Sequence, residues 1–553
     1  MEQFLRKTFI IALFFISSII FFTSCDNNQD QSAAFTGVRV IDNSYSPPVV
    51  RIYEGGMVRF FNAGNNPHNV IAVGETWGSY KEIPKNDFLD VTFEKEGLYK
   101  YLCSFHASPE GDWGMVGSVV VGDIDYEDYS NFQKADAVQS FSGEIRLVPR
   151  EYETIQDAVN SSNPGDMILI SPGIYYEEVI VNVPSLTIRG VDRNKTIVDG
   201  EFERANGFLV AGVDGVAIEN ITARNALLNG FYWATVEGYR GSYLTAYNNG
   251  DYGVYAFDAV DGVIEHSYAS GSPDAGFYIG QCYPCDAVIN NVISENNGLG
   301  YSGTNSGGDL YIINSIFRDN KGGIAPNTLD SELLPPERES YIIGNLIENN
   351  NNLEAPAWDA QYISLGNGVV IAGGNNNYIK NNVIVNHDVF GLVISASLDD
   401  NYWPAHGNTV EENLIINSGK ADIAVSGISN LKNCFVKNQF DTSIPPGLQL
   451  LNNCNFNVLP LGSDLHGLWN LIARFINANT GDYQKGNWKE FDAPDPQPNM
   501  PIMQMVLSKN YKFKNFKNSI MPAVDVFEGY RNKLSEISLP KEAYKYFDEN
   551  SLH

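Results

Sequence analysis

Short apolar runs with the alternation or compactness of β-strands recur along most of this chain. In residues 60–73, FFNAGNNPHNVIAV, two such runs flank a turn-rich Asn/Gly/Pro segment, and GMVGSVVV at residues 114–121 alternates like a strand. From about residue 145, compact apolar strands such as MILIS, VIVNV and SLTIRG follow one another closely. A short amphipathic helix is expected at Ile155, Ala158 and Val159. The pattern therefore predicts a chain made almost entirely of β-structure.

The second region repeats. Segments that begin with glycine return at a step of about 23 residues, the length of one solenoid coil and about half of a propeller blade. These glycines are Gly230, Gly253, Gly276, Gly300 and Gly323. A second series of strands precedes them, and its asparagines are predicted to share one turn position, because Asn tolerates positive φ and stacked amides can hydrogen-bond. These asparagines are Asn220, Asn291, Asn345, Asn382 and Asn413.

The first 24 residues have the pattern of a signal peptide. Arg6 and Lys7 precede an apolar run from Phe9 to Phe22. The following Thr-Ser-Cys25 resembles the lipobox of bacterial lipoproteins, which implies an exported bacterial lipoprotein that is lipid-modified at Cys25, on the periplasmic face or cell surface. An uncleaved membrane anchor is the alternative. Residues 25–35 are then a flexible tether, and the lipid is the expected membrane contact.

The charge balance narrows the possible partners. The 553 residues, enough for more than one domain, hold 36 Lys and Arg against 66 Asp and Glu, a net charge of −30. With no basic cluster to neutralise phosphates, nucleic-acid binding is excluded. A cationic protein partner or Ca²⁺ on surface carboxylates is compatible with this charge.

One stretch combines the residues of a metal site. Cys103 and His106 have C-x-x-H spacing, Met115 follows on a predicted strand, and His68 lies upstream between two strands. A thiolate, two imidazoles and a weak axial thioether are the ligands of a blue-copper electron-transfer site. The alternative is a copper-free domain with a buried cysteine and incidental histidines.

These residues resemble the cupredoxin family in its plastocyanin and halocyanin branch. Asn62 and the Pro67–Val70 run are similar to the first ligand loop of that family, and Tyr101, Cys103, His106 and Gly114-Met115-x-Gly117 to its second. The resemblance implies a Greek-key β-sandwich at residues 36–122 with one type I copper on His68, Cys103, His106 and Met115. The loop between His106 and Met115 is longer than is usual in this branch.

The repeats resemble a right-handed parallel β-helix of the pectin-lyase type, opening with an N-terminal cap at TIQDAVN. This implies a solenoid at residues 145–455, after a linker at 123–144 and before a C-terminal cap and extension at 456–553. The predicted fold class is all-β, a cupredoxin sandwich followed by a β-helix.

Four cysteines remain for up to two disulfides in an oxidising compartment. These are Cys282, Cys285, Cys434 and Cys454.

The β-helix offers weaker candidates for chemistry. Asp251 and Asp274 each precede a coil glycine by two residues, so they are expected one strand spacing apart. There they could share a proton, bind Ca²⁺, act as a glycosidase acid and base, or simply form turns. Arg240 and His266 are the cationic candidates that would neutralise a uronate. The chain lacks the motifs usual in the epimerases and hydrolases of this fold.

Polar and aromatic side chains could line a saccharide groove on the coils, or belong to a solvated face and to the core. The polar candidates are Asp258, Gln281 and Asn305, and the aromatic ones are Tyr232, Trp233, Tyr255 and Tyr278. Later insertions add Trp358, Tyr362, Tyr402 and Trp403, which could stack on sugars or pack within loops.

Three functions follow. The first is one-electron transfer at copper, with the β-helix docking to a redox partner or a polysaccharide. The second is a polysaccharide lyase, hydrolase or epimerase with an accessory cupredoxin, and the third is periplasmic copper handling or maturation.

Overall fold

The structure is a computed structural model that describes residues 35–41, 44–52, 54–64, 68–74, 76–107, 111, 114–122, 143–358, 363–428, 432–454, 456–457, 472, 486–501, 503 and 537–547. The predicted signal peptide, Cys25, the tether up to residue 34 and most of the linker lie outside these residues. Among the described residues, no helix is both long and apolar enough to cross a bilayer.

The N-terminal part is two packed sheets. The first contains, in spatial order, Ser44–Ser46, Phe35–Ile41, Gly56–Asn62 and Phe88–Phe93. The second contains Val49–Ile52, Gly114–Val121, Gly97–Ala107, His68–Ala72 and Gly78–Ile83. Alternate residues of both sheets, among them Val40, Phe60, Tyr101 and Val119, point inward and are fully buried. This inward alternation is what holds a β-sandwich together.

The rest is a parallel β-helix with three faces, here called sheets 1, 2 and 3 in the order in which one coil passes through them. Sheet 1 holds Val179–Val181, Phe208–Ala211, the starts of Phe231–Ser242 and Tyr252–Glu265, Ala275–Gly280, Leu299–Thr304, Gly322–Asn327, Val369–Ala372, Phe390–Ser395, Ala421–Ser426 and Ser443–Ile444. Sheet 2 holds Ile145–Val148, Met167–Ile170, Thr187–Gly190, Val216–Glu219, the ends of the same two long strands, Ala287–Asn290, Gly307–Ile313, Arg338–Ile343, Tyr378–Lys380, Thr409–Glu411 and Cys434–Val436. Sheet 3 holds Gly173–Tyr175, Thr196–Asp199, Thr222–Arg224, Thr245–Tyr247, Tyr268–Ser270, Ile293–Glu295, Ile316–Arg318, Leu346–Glu348, Val383–His387 and Leu414–Ser418. The predicted all-β fold class, a sandwich followed by a parallel β-helix, is confirmed.

Smaller elements complete the chain. The predicted N-terminal helix is present as Ile155–Asn160, whose buried side chains are Ile155, Ala158 and Val159 and whose N-cap is Thr154. A second helix, Leu448–Leu451, two 3₁₀ turns, Trp488–Glu490 and Lys541–Tyr546, and the two hairpins Ser397–Leu398 with Tyr402–Trp403 and Asn452–Asn453 with Phe456–Asn457 follow. Disulfides join Cys282 to Cys285 and Cys434 to Cys454.

The coil glycines stand in register. Gly253 lies between Gly230 and Gly276, as the paired strands place it. A Cβ on Gly253 would lie 2.6 Å from the carbonyl oxygen of Gly276, and one on Gly230 would lie 2.7 Å from that of Gly253. The repeat therefore requires glycine because neighbouring coils approach too closely for any side chain.

The asparagine prediction was wrong in its register. Asn220 and Asn291 have a φ of +55° and occupy the left-handed turn after sheet 2, as expected. Asn345, Asn382 and Asn413 lie one residue later in their coils, where the left-handed position belongs to Gly344, Asn381 and Glu412.

The shifted asparagines form the expected hydrogen bonds between stacked amides, as a buried ladder. The Asn345 side chain donates to Asn382 Oδ1 at 3.0 Å, Asn382 to Asn413 at 2.9 Å, and Asn413 to Asn438 at 2.9 Å. Each amide also donates to a backbone carbonyl of the preceding coil, as Asn413 does to Ile379 at 2.9 Å. The ladder thus satisfies buried polar groups that the turn would otherwise leave unpaired.

Candidate metal centre

The second sheet of the sandwich brings the predicted ligands to one end. The strand Gly97–Ala107 carries Cys103 and His106 and pairs with both Gly114–Val121 and His68–Ala72. Its pairing with Gly114–Val121 is regular up to Leu102 and then shifts before Ala107. The irregular stretch between these two residues contains Cys103 and His106, so neither is held in the regular ladder with Gly114–Val121.

Three side chains converge there. Cys103 Sγ lies 3.4 Å from His106 Nδ1 and 3.9 Å from His68 Nδ1, and the two imidazole centroids are 5.0 Å apart. One ligand atom from each residue lies within 4.8 Å of the other two. His68 and Cys103 are fully buried, whereas His106 is half-buried. Met115 is 1% exposed and belongs to the same apolar cluster as Cys103.

The electrostatics favour a thiolate. Burial would raise the pKa of the Cys103 thiol, but the charge of His106 and hydrogen bonds from His106 and His68 outweigh it and lower the pKa to about 5. A thiolate is the form of cysteine that binds metals. The group is therefore ready to accept a soft cation at neutral pH.

Asn69 ties the two ligand strands together, a role that the sequence reasoning missed. Its side chain donates to Ser104 Oγ at 2.8 Å and accepts from the Ser104 N–H at 2.9 Å, next to Cys103. It also donates to the Tyr80 carbonyl at 3.2 Å, while Tyr45 donates to the Asn69 carbonyl at 2.7 Å. The position directly after His68 was the available signal.

Gly117 leaves space for the ring of Tyr101 beneath the site. A Cβ at Gly117 would lie 2.5 Å from the Tyr101 ring, which is fully buried two residues before Cys103. Tyr101 packs at 4.8 Å against Tyr45 and at 5.0 Å against Phe60. Close packing against Tyr101 therefore explains why Gly117, the second glycine of Gly114-Met115-x-Gly117, has no side chain.

The outer edge of the centre faces the β-helix. Phe105, His106 and Met115 line one side of a cavity, and Tyr232, Tyr255, Asp251 and smaller residues of sheet 1 line the other. Its volume of about 20 Å³ is enough for a single water molecule. The Arg39 guanidinium adds a hydrogen bond from the sandwich to the backbone carbonyl of Asp330 on a β-helix insertion.

The candidate acid pair of the β-helix is separated from its predicted cations. Asp251 and Asp274 are neighbours, as expected, with the Asp274 N–H donating to the Asp251 carbonyl at 3.1 Å. Asp251 Oδ1 accepts from the indole N–H of Trp358 at 3.1 Å. Arg240 lies on sheet 2 and binds Glu265 at 2.5 Å.

His266 stacks on a tyrosine of the turn next to sheet 2. Its ring centroid lies 4.7 Å from that of Tyr243, and its Nδ1 is 2.7 Å from the amide nitrogen of Asn291. These contacts of His266 and Arg240 are with sheet 2 and its turn, whereas Asp251 precedes a strand of sheet 1.

The predicted row of polar residues hydrogen-bonds to the insertion that contains Leu329 and Leu333. Asp258, Gln281 and Asn305 all have positive φ at the turn after sheet 1. Gln281 Oε1 accepts from the Leu333 N–H at 2.8 Å, and the Asn305 amide donates to the Leu329 carbonyl at 2.7 Å. This part of the stripe is therefore covered by chain rather than open as a groove.

The aromatic candidates divide in the same way. Trp233 is fully buried in the β-helix core, whereas Tyr232, Tyr255 and Tyr278 belong to a separate cluster on the outside of sheet 1. Trp403 donates to Asp330 at 3.3 Å and Tyr402 to the Ile428 carbonyl at 2.8 Å, both within loops. Tyr362 lies outside the described residues.

Comparisons with known proteins found similarities to separate parts of the chain. Residues 185–334 match the family model of the right-handed β-helix region. The A-module of the mannuronan C-5 epimerase AlgE6 from Azotobacter vinelandii is similar over 52% of this chain and 89% of its own length, at 15% identity and a TM-score of 0.38.

Two kinds of cupredoxin are similar to a shorter part. A reduced Cu(I) form of an amicyanin mutant is 26% identical over 17% of this chain and 87% of its own, with a TM-score of 0.15. A purple cupredoxin from Nitrosopumilus maritimus is 29% identical over 16% of this chain and 99% of its own, with a TM-score of 0.14.

Proposed function

We propose that His68, Cys103 and His106 bind one copper ion and that the protein carries out one-electron transfer at this centre. The observation that carries the proposal is the convergence of a buried thiol and two Nδ1 atoms at 3.4 and 3.9 Å, in the absence of any carboxylate from the group. Thiolate and imidazole donors suit copper. Met115 would supply a fourth, thioether donor, since it is buried in the same cluster as Cys103 and lines the same cavity as His106.

Each residue has a distinct task. Copper supplies a couple that exchanges one electron, and the Cys103 thiolate is its strongest donor. His68 and His106 complete the donor set from two different strands, and Asn69 fixes the spacing of those strands by hydrogen bonds. Such outer bonds keep ligands in place when the charge of a centre changes. His106, half-buried at the outer edge, is the proposed ligand through which an electron would enter or leave.

The spectrum of the copper-loaded protein tests this proposal. Cu(II) is added to the mature chain, without its predicted signal peptide, and to the variants Cys103→Ser, His68→Ala and His266→Ala. An intense visible thiolate-to-copper band is expected in the wild type and in His266→Ala, and its loss in the other two. Full copper occupancy without the band would refute the electron-transfer centre and favour copper handling.

The surroundings of the centre are part of the proposal. Export and lipid attachment at Cys25 would place it in an oxidising compartment, and both stay predictions of the sequence. The β-helix would then serve as a docking surface. A polysaccharide-active β-helix gains no specific support, because Asp251 and Arg240 have separate partners. Turnover of anionic glycans that is lost in Asp251, Asp274 and Arg240 variants would establish it.

A further inference from the structure

A cluster of four tyrosines lies on the outside of sheet 1, directly across the cavity from His106. The rings of Tyr232 and Tyr255 stack at 4.7 Å, and Tyr255 stacks on Tyr252 at 4.2 Å and meets Tyr278 at 4.8 Å. All four are buried, although they point away from the helix core. The sandwich covers the cluster at Tyr232 and Tyr255, which line the cavity.

The cluster also reaches the surface. Asp251, which lines the cavity, precedes Tyr252 in the chain and accepts a hydrogen bond from the Trp358 indole at 3.1 Å. Trp358 itself is 47% exposed. Beyond the cavity, which has room for one water molecule, ring stacks, one peptide link and one hydrogen bond therefore connect Tyr232 and Tyr255 with an exposed indole.

We propose that the tyrosine cluster is the electron port of the centre, so that an electron passes between the His106 edge and the surface through Tyr255 and leaves or enters at Trp358. The proposal rests on the proposed copper function. During reduction, one electron leaves an external one-electron carrier and reaches the copper–thiolate centre, and no bond is made or broken. The tyrosines mediate the transfer and keep their own electrons and protons.

The chemistry of the rings agrees with this passive role. Burial, followed by the nearby charges of Asp274 and Glu332 respectively, raises the pKa of Tyr252 and Tyr278 well above the usual value for tyrosine. The Tyr278 hydroxyl donates a hydrogen bond to Glu332 Oε2 at 2.7 Å. The phenols of Tyr252 and Tyr278 therefore stay protonated and neutral.

The first test needs no metal. Hydroxyl-radical footprinting of the copper-free mature chain compares Tyr232 and Tyr255 with Tyr80, which is 59% exposed on the sandwich. We expect slow labelling of Tyr232 and Tyr255 and fast labelling of Tyr80. Equal labelling of all three would show that the sandwich does not cover the cluster and would overturn the proposal.

The second test measures the reduction of the copper-loaded protein by a cationic ruthenium ammine complex, chosen because the chain has a net charge of −30. Tyr255→Phe keeps the ring and should react like the wild type, whereas Tyr255→Leu should slow reduction about tenfold. Trp358→Leu should slow reduction similarly, because this change removes the exposed indole and leaves the residues that line the cavity unchanged.

The outcomes separate the two proposals. If the wild type shows no thiolate band, the copper function fails. If the band is present and both leucine variants react as fast as Tyr255→Phe, the electron port fails alone. If Tyr232 loses its footprint protection in Tyr255→Leu, the reduction rate of Trp358→Leu decides whether the electron port exists. The Trp358 side chain is half-exposed and lies outside the cavity lining.

Discussion

Removal of the Asn69 side chain should weaken copper binding more than an equally destabilising change in the sandwich that leaves the proposed ligands and their strands untouched. Asn69→Ala deletes two donated bonds, at 2.8 Å to Ser104 Oγ and 3.2 Å to the Tyr80 carbonyl, and one accepted bond at 2.9 Å from the Ser104 N–H. At about 1 kcal/mol for each net bond, the loss of stability is about 3 kcal/mol. The bond between the Tyr45 hydroxyl and the Asn69 carbonyl involves the backbone and remains.

The effect on copper comes from the position of these bonds. They join the residue after His68 to the residue after Cys103, so their loss lets the two ligand strands move relative to each other. Removal of such an outer partner typically lowers metal affinity about 10- to 100-fold. Competition with a copper chelator of known affinity measures the change, and the intensity of the visible band reports the thiolate bond.

Asn62→Ala is the matched control. Asn62 is also buried in the sandwich, donating to the Ile83 carbonyl at 2.7 Å and accepting from the Gly64 N–H at 2.9 Å. The Asn62→Ala variant therefore loses two buried side-chain hydrogen bonds, against three in Asn69→Ala, and keeps the bonds between Asn69 and Ser104. If both variants lose the same copper affinity, general destabilisation explains the result and the positioning role of Asn69 is refuted.

Three further predictions concern the β-helix. Burial raises the pKa of Glu337 to about 8 from its ordinary 4.5, so its stabilising contribution is complete below pH 4.5 and falls by about 1.4 kcal/mol per pH unit up to about pH 8. Urea unfolding at pH 5 and 8 should show this loss in the wild type and not in Glu337→Gln. Gly253→Ala should lower the thermal midpoint, because its Cβ would meet the Gly276 carbonyl at 2.6 Å, whereas Gly37→Ala, with open space around it, should not. Asn413→Ala should cost about 2–4 kcal/mol in urea unfolding, since it leaves buried ladder groups unpaired, and a neutral result would remove the ladder as a source of stability.

Local spacing explains why much of the site could be predicted. The Cys103-x-x-His106 spacing, the strand after it and the histidine between two upstream strands restrict how a sandwich can arrange these side chains, and the structure brings His68, Cys103 and His106 together. The glycine step was equally informative, because a close approach between coils recurs at every turn of a solenoid.

Features that depend on one residue of register or on distant surfaces were harder to predict. Asn345, Asn382 and Asn413 differ from Asn220 by a single position, and pattern reasoning cannot resolve that offset when both positions favour asparagine. Tyr232 and Trp233 are adjacent and therefore point to opposite sides of the strand. Only the assembled coil shows that Trp233 fills the core, 3.2 Å from where a Cβ of Gly241 would lie.

The sandwich covers part of an aromatic surface on the outside of sheet 1. Four outward tyrosines on an isolated β-helix would form an exposed aromatic patch, which soluble proteins generally keep small or use for contacts. Here the sandwich presents Phe105, itself 44% exposed, together with His106 and Met115 to that patch. The contact that covers Tyr232 and Tyr255 leaves beside His106 and Met115 a cavity with the space of one water molecule. The sandwich and the β-helix thus meet at the edge where the proposed centre would exchange electrons.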